Sequence, residues 1–100
     1  MVSERAVEAA LKRIAGAHGV LALKFVSPGV AGVPDRLLLA KPACALCGHA
    51  RAAFVELKRP SGKLTALQFR VHGVLRSLGF RVGVIRSADE AEAFVRDWLL

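Results

Sequence analysis

At 100 residues, 54% apolar and 23% charged, the chain is not disordered and has room for one domain with a modest core. Apolar stretches such as Val20–Leu23 and Leu37–Ala40 fall far short of a membrane span, and Glu4 and Arg5 stand where a signal peptide would carry its apolar block, so a cytoplasmic protein is expected. The net charge of +7 and pI of about 10.5 favour a polyanionic partner, most commonly nucleic acid.

Ser3 stands as an N-cap, and Val7, Ala10, Leu11 and Ile14 follow the spacing of an amphipathic helix that should end between Gly16 and Gly19. Val20 to Val26 reads as a strand. Pro28, Gly29, Gly32 and Pro34 then form a loop that delivers Asp35 to the start of a strand over Arg36 to Ala40. A second loop, Lys41 to Arg51, precedes a strand from Ala53 to Lys58, and Pro60-Ser61-Gly62 breaks the chain again. Thr65 starts a helix through Leu78, with Leu67, Val71, Val74, Leu75 and Leu78 expected to face inward and Gly79 stopping it as a C-cap glycine. Phe80 to Arg86 is a fourth strand. Ser87 and Glu90 have capping-box spacing and open a last helix, whose apolar face is Ala91, Phe94, Val95 and Trp98. The order αβββαβα predicts an α/β fold of a single domain, 1–100. Hairpin-linked strands lead into a right-handed β–α–β step, and helices flank a mixed sheet.

Asp35 and the run Phe54-Val55-Glu56-Leu57-Lys58, whose Glu56 follows it by 21 residues, carry the chemistry. Read alone, Asp35 after Gly32-Val33-Pro34 is equally a turn aspartate. Glu56 and Lys58 share one strand face, with Val55 and Leu57 on the other, and a structural ion pair is the competing reading. Together, two acids on different strands supply the hard oxygen ligands that Mg²⁺ takes, and leave positions for water and phosphate. The lysine would orient or activate the attacking water. Such a site hydrolyses phosphodiesters.

This pattern resembles the PD-(D/E)xK nuclease superfamily, and within it the free-standing VRR-NUC domain, the virus-type replication and repair nuclease module. The resemblance runs over about residues 4 to 95. It includes Lys24-Phe25-Val26-Ser27-Pro28-Gly29, Gly32-Val33-Pro34-Asp35-Arg36-Leu37, Phe54 to Lys58, Gln68, Leu78-Gly79-Phe80-Arg81-Val82 and Val84-Ile85. It implies a restriction-endonuclease-like core and a Mg²⁺- or Mn²⁺-dependent endodeoxyribonuclease. Asp35, Glu56 and the Leu57 carbonyl would hold the metal, with Lys58 at the scissile phosphate. A glutamate on the first helix commonly completes such a site, and Glu8 matches that pattern better than Glu4. Gln68 resembles the family's glutamine after the ExK strand, placed to hydrogen-bond the attacking water or a phosphate oxygen. Free-standing members are similar to small dimeric junction-cleaving enzymes. A homodimer acting on branched or Holliday-junction DNA in replication, recombination or repair is therefore expected, in a bacterial, phage or prophage setting. The competing readings are the same core acting on flaps, ends or a short sequence, and a non-cleaving DNA-binding protein.

Lys24, Ser27, Arg36, Lys63 and Arg70 form a candidate basic rim for phosphate contacts. With five Phe, one Trp and no Tyr, base stacking is a poor source of affinity, and backbone contacts should dominate. Cys44-Ala45-Leu46-Cys47-Gly48-His49 departs from the family pattern. A Cys-x-x-Cys with a nearby His is half of a zinc site, and closed zinc sites show four ligands. The fourth would have to be His18, His72, water or another subunit. A reduced excursion is the preferred reading of this loop, with structural Zn²⁺ the alternative.

Overall fold

A computed structural model describes residues 2–46 and 48–100. Ser3 Oγ accepts the Ala6 N–H and opens α1 (Glu4–Ala17), which buries Val7, Ala10, Leu11, Ile14 and Ala15 along one stripe. Gly19, at φ +72°, supplies the left-handed turn after this helix. Strands β1 (Leu21–Lys24), β2 (Arg36–Ala40) and β3 (Arg51–Leu57) follow, then α2 (Ala66–Ser77), β4 (Arg81–Ile85) and α3 (Ala88–Leu99).

One sheet holds the strands in the order β1-β2-β3-β4. The first two pairings are antiparallel, and β3 pairs with β4 in parallel across the α2 crossover. Both the element order and the mixed sheet agree with the sequence reading. β1 is shorter than Val20 to Val26: only the bond from Phe25 N–H to the Asp35 carbonyl continues it, because β2 begins behind Pro34 and offers no further ladder.

The two sheet faces differ. Leu38, Ala53, Val55, Leu57 and Ile85 form one core with α1 and α3, including Ala91, Val95 and Trp98. The opposite face carries Leu23, Leu37, Phe54 and Val82 in register. Phe54 meets both Phe25 and Phe80 edge to face, with ring centroids 6.0 and 5.5 Å away. Only α2 covers this face, and it lies against β4. This corrects the expected inward set on α2. Leu67, Val74 and Leu78 are exposed, Val71 and Leu75 are half-buried, and His72 is the residue enclosed. A single helix set toward one edge cannot cover four strands.

Capping separates the remaining turns. Thr65 and Gln68 form a complete capping box at α2. At α3, Ser87 Oγ accepts the Glu90 N–H, while Glu90 Oε1 takes the N–H of Arg86 rather than that of Ser87. Gly83 of β4 faces α3, where the Phe94 ring occupies the space that a Cβ would need. Gly83→Ala is expected to lower stability by about 1–3 kcal/mol through overpacking. Urea denaturation would show this as a reduced midpoint, and adding Phe94→Leu should recover part of it.

Candidate active site

The site forms where the β2–β3 ladder runs out. Arg36 and Val55 are its last pair. Beyond them the Leu57 N–H donates to Asp35 Oδ1 at 3.2 Å. The side chain of Asp35 thus ties the start of β2 to the end of β3, where Glu56, Leu57 and Lys58 follow one another. Pro34 is buried and fixes the approach. Gly32, at φ +88°, sits where a Cβ would press on the side chain and backbone of Leu67, so the loop before Asp35 rests on the first turn of α2. On the other side, the Lys58 N–H bonds the Ile85 carbonyl and continues the parallel pairing to β4. Arg86 Nε donates to the Gly62 carbonyl at 2.9 Å, and the Gly62 N–H closes a turn on the Arg59 carbonyl. That turn lies against the Lys58 side chain.

The charge of Asp35 acts on Glu56. Glu56 is 6% exposed. Burial, then repulsion from Asp35, push its carboxyl up to about 7, against the pull of Lys58. Burial also raises Asp35, opposed by the Leu57 hydrogen bond and the Arg36 charge. Glu4 adds to the repulsion on both. Two desolvated carboxylates that resist ionising together form an oxygen donor set that a divalent cation would relieve. Mg²⁺ is commonly held by one or two carboxylates, with phosphate and water completing its shell. Among the described residues no group of three or more His, Cys, Asp or Glu side chains is arranged to hold a metal. The protein's side-chain share would therefore be the Asp35–Glu56 pair.

The first-helix glutamate is where structure and expectation part. Glu8 is paired with Arg36 and, at 3.6 Å, with Lys12. Burial works upward on its carboxyl, but Arg36 and Lys12 outweigh it and hold it below the ordinary range. Glu8 is thus committed to an ion-pair cluster, whereas the charge of Glu4 reaches Asp35 and Glu56. The same cluster removes Arg36 from the basic rim: at 5% exposure, with its guanidinium on Glu8, it supports the fold rather than meeting solvent. Alternation explains this, because Arg36 shares the face of its partner Val55 and points into the core beneath α1.

Gln68 uses its carbonyl oxygen in the α2 capping box, accepting from Thr65 N–H at 3.0 Å, which leaves its NH₂ group for other partners. Lys24, Lys63 and Arg70 are exposed, and Ser27 is half-buried in an apolar groove with Phe25 and Val30. A cleft of about 610 Å³ opens on the Lys58 side, lined by Ser3, Glu4, Lys58, Arg59, Gly62 and Lys63. Arg59 was not singled out from the sequence; its position directly after Lys58, in a turn with Lys63, is the signal that could have found it. In the Cys44–His49 loop, Cys47, a ligand of the zinc alternative, lies outside the described residues. Of its outside candidates, His18 lies 3.4 Å from Glu92 and His72 is enclosed beside Glu56.

No family model matches the chain. A protein of Acyrthosiphon pisum secondary endosymbiont phage 1, named "Putative nuclease p44", is 40% identical over 89 residues, spanning 89% of this chain and 88% of that protein. A solved structure described as a VRR_NUC domain is similar with a TM-score of 0.81 and 25% identity, over 98% of this chain and 99% of that one.

Proposed function

The chain belongs to the VRR-NUC family of nucleases, and on that footing we propose that it is a Mg²⁺- or Mn²⁺-dependent endodeoxyribonuclease acting on branched DNA. The observation that carries the metal dependence is the Asp35–Glu56 pair beside Lys58: burial raises both carboxyls, and the charge of Asp35 raises Glu56 further. Asp35, Glu56 and the Leu57 carbonyl would hold the cation, and Glu4 replaces Glu8 as the acid closest in its electrostatic reach. When bound, the cation supplies Lewis-acid charge at the scissile phosphate.

The protein's own groups do the remaining work. Leu57 N–H fixes Asp35, so that carboxylate presents its oxygens without a search over rotamers. Lys58 shares the face of Glu56, holds a phosphate oxygen, stabilises charge developing there and orients the attacking water. Arg59 and Lys63 extend positive charge along the same cleft and seat neighbouring phosphates. The NH₂ of Gln68 is available to donate to water or phosphate.

Four-way, flapped, nicked and linear duplexes incubated with Mn²⁺ test this reading, with Asp35→Ala and Glu56→Ala as controls. Metal-dependent cutting of the four-way DNA is expected. Cleavage confined to flaps or ends would replace the branched substrate, and no cleavage of any substrate would remove the nuclease activity.

A homodimer fits the same reading, since a two-fold assembly presents two sites to a roughly symmetric junction. Its support is the sheet face that α2 covers only in part, where Leu21, Leu23 and Phe80 are exposed together with Val74 of α2 and its C-cap Leu78, near an apolar groove of about 320 Å³ containing Phe25 and Phe54. Sedimentation velocity should show a dimer that Val74→Glu converts to monomer; a monomeric wild type at micromolar concentration would refute the assembly.

A further inference from the structure

His72 of α2 is wholly enclosed, and among the described residues neither of its ring nitrogens has a hydrogen-bond partner. It is the buried residue of a helix whose other side chains are exposed or half-covered. Enclosing an imidazole there carries a cost that leucine would avoid, which is a reason to look for its use. Glu56 Oε1 lies 3.8 Å from His72 Nε2, just beyond hydrogen-bond length. Burial, then the charges of Arg76 and Lys58, work against protonating the ring. A neutral imidazole still has one N–H to donate. Contacts that matter in catalysis are often long before the ligand is bound.

We propose that His72 is a positioning residue: its Nε2–H closes onto Glu56 Oε1 and holds that carboxylate with its other oxygen turned toward the cation. This rests on the metal-dependent reading above. Partners one step removed from a metal commonly fix the rotamer of a ligand in this way. The cost of the enclosed ring is then a metal-free property, and the cation recovers part of it.

Two substitutions separate this from mere packing. His72→Leu keeps volume but removes both nitrogens, while His72→Gln keeps a donor near the Nε2 position. Calorimetric titration with Mn²⁺ should show affinity reduced about 10- to 100-fold in His72→Leu and within a few-fold of wild type in His72→Gln. The metal-free leucine variant should melt no lower than wild type, because two unsatisfied nitrogens are gone. Wild-type Mn²⁺ affinity in a folded His72→Leu protein would overturn the proposal, as would a glutamine variant no better than leucine. Absence of binding by the wild type would instead remove the metal reading, and this proposal with it. Should the leucine variant fail to fold, nitrogen-15 spectra of the wild type decide: Mg²⁺ must shift the His72 Nε2 resonance, and an unmoved resonance overturns the role.

Discussion

Lys58→Ala is expected to lower single-turnover cleavage by about 10²- to 10³-fold, the usual cost of removing one charge aimed at a developing transition state. DNA affinity measured without metal should fall only by the share of one phosphate contact among several. The structure gives reasons to expect a folded variant. The strand bond at this position is made by the backbone N–H of Lys58 to Ile85, and the adjoining turn is held by Arg86 on the Gly62 carbonyl. Truncating the side chain leaves both intact. A loss of cleavage matched by an equal loss of binding would mean that Lys58 only anchors DNA. Unchanged cleavage would remove it from the reaction.

Glu56→Gln should abolish cleavage and also change how stability depends on pH. In the metal-free wild type, burial and Asp35 raise Glu56 from its usual 4.5 to about 7. A carboxyl with a raised folded-state value binds more protons folded than unfolded across that window. Stability is therefore greatest at low pH within it, falls as pH rises from about 4.5 to about 7, and levels off above. The fall is on the order of 1–3 kcal/mol, at roughly 1.4 kcal/mol per pKa unit. Asp35, raised in the same direction, adds to it. Glu8 acts oppositely: held down by Arg36 and Lys12, it contributes stability that is lost as pH falls through its own lowered range. Thermal melts between pH 4.5 and 8 should show the decline in wild type and a flattened profile in Glu56→Gln. Mn²⁺ should raise the wild-type melting temperature at pH 7.5 and leave the variant unmoved. His72, lowered by burial, works against the decline over the same range, so the difference between wild type and variant is decisive: identical profiles would mean that Glu56 is not desolvated beside Asp35.

The four strands and three helices were legible because their signals are local. Ser3, Thr65 and Ser87 cap helices through bonds within one turn. The apolar spacing of α1 and α3 needs no knowledge of what they pack against. Alternation alone placed Glu56 and Lys58 on one face and Val55 and Leu57 on the other. The parallel β3–β4 step followed from the helix between them.

Other features depend on which surface meets which, and no local pattern encodes that. The face of α2 carries ample apolar residues, yet Val74 and Leu78 remain exposed because the helix lies toward β4. Glu4 and Glu8 are one turn apart on the same flank, so helical spacing could not rank them; the side-chain contact of Glu8 with Arg36 does. Arg36 read as a rim residue by charge and is buried by register.

What the chain determined by itself is the element order, the caps, and the strand phase that puts the acid and lysine of β3 together, all consequences of backbone periodicity and short-range hydrogen bonding. Tertiary structure alone decided that Asp35 reaches across to Leu57, that Glu8 is occupied elsewhere, and that His72 is sealed against Glu56. Those outcomes depend on distances between segments far apart in sequence, and burial there sets both the carboxyl energetics and the partners each side chain can find.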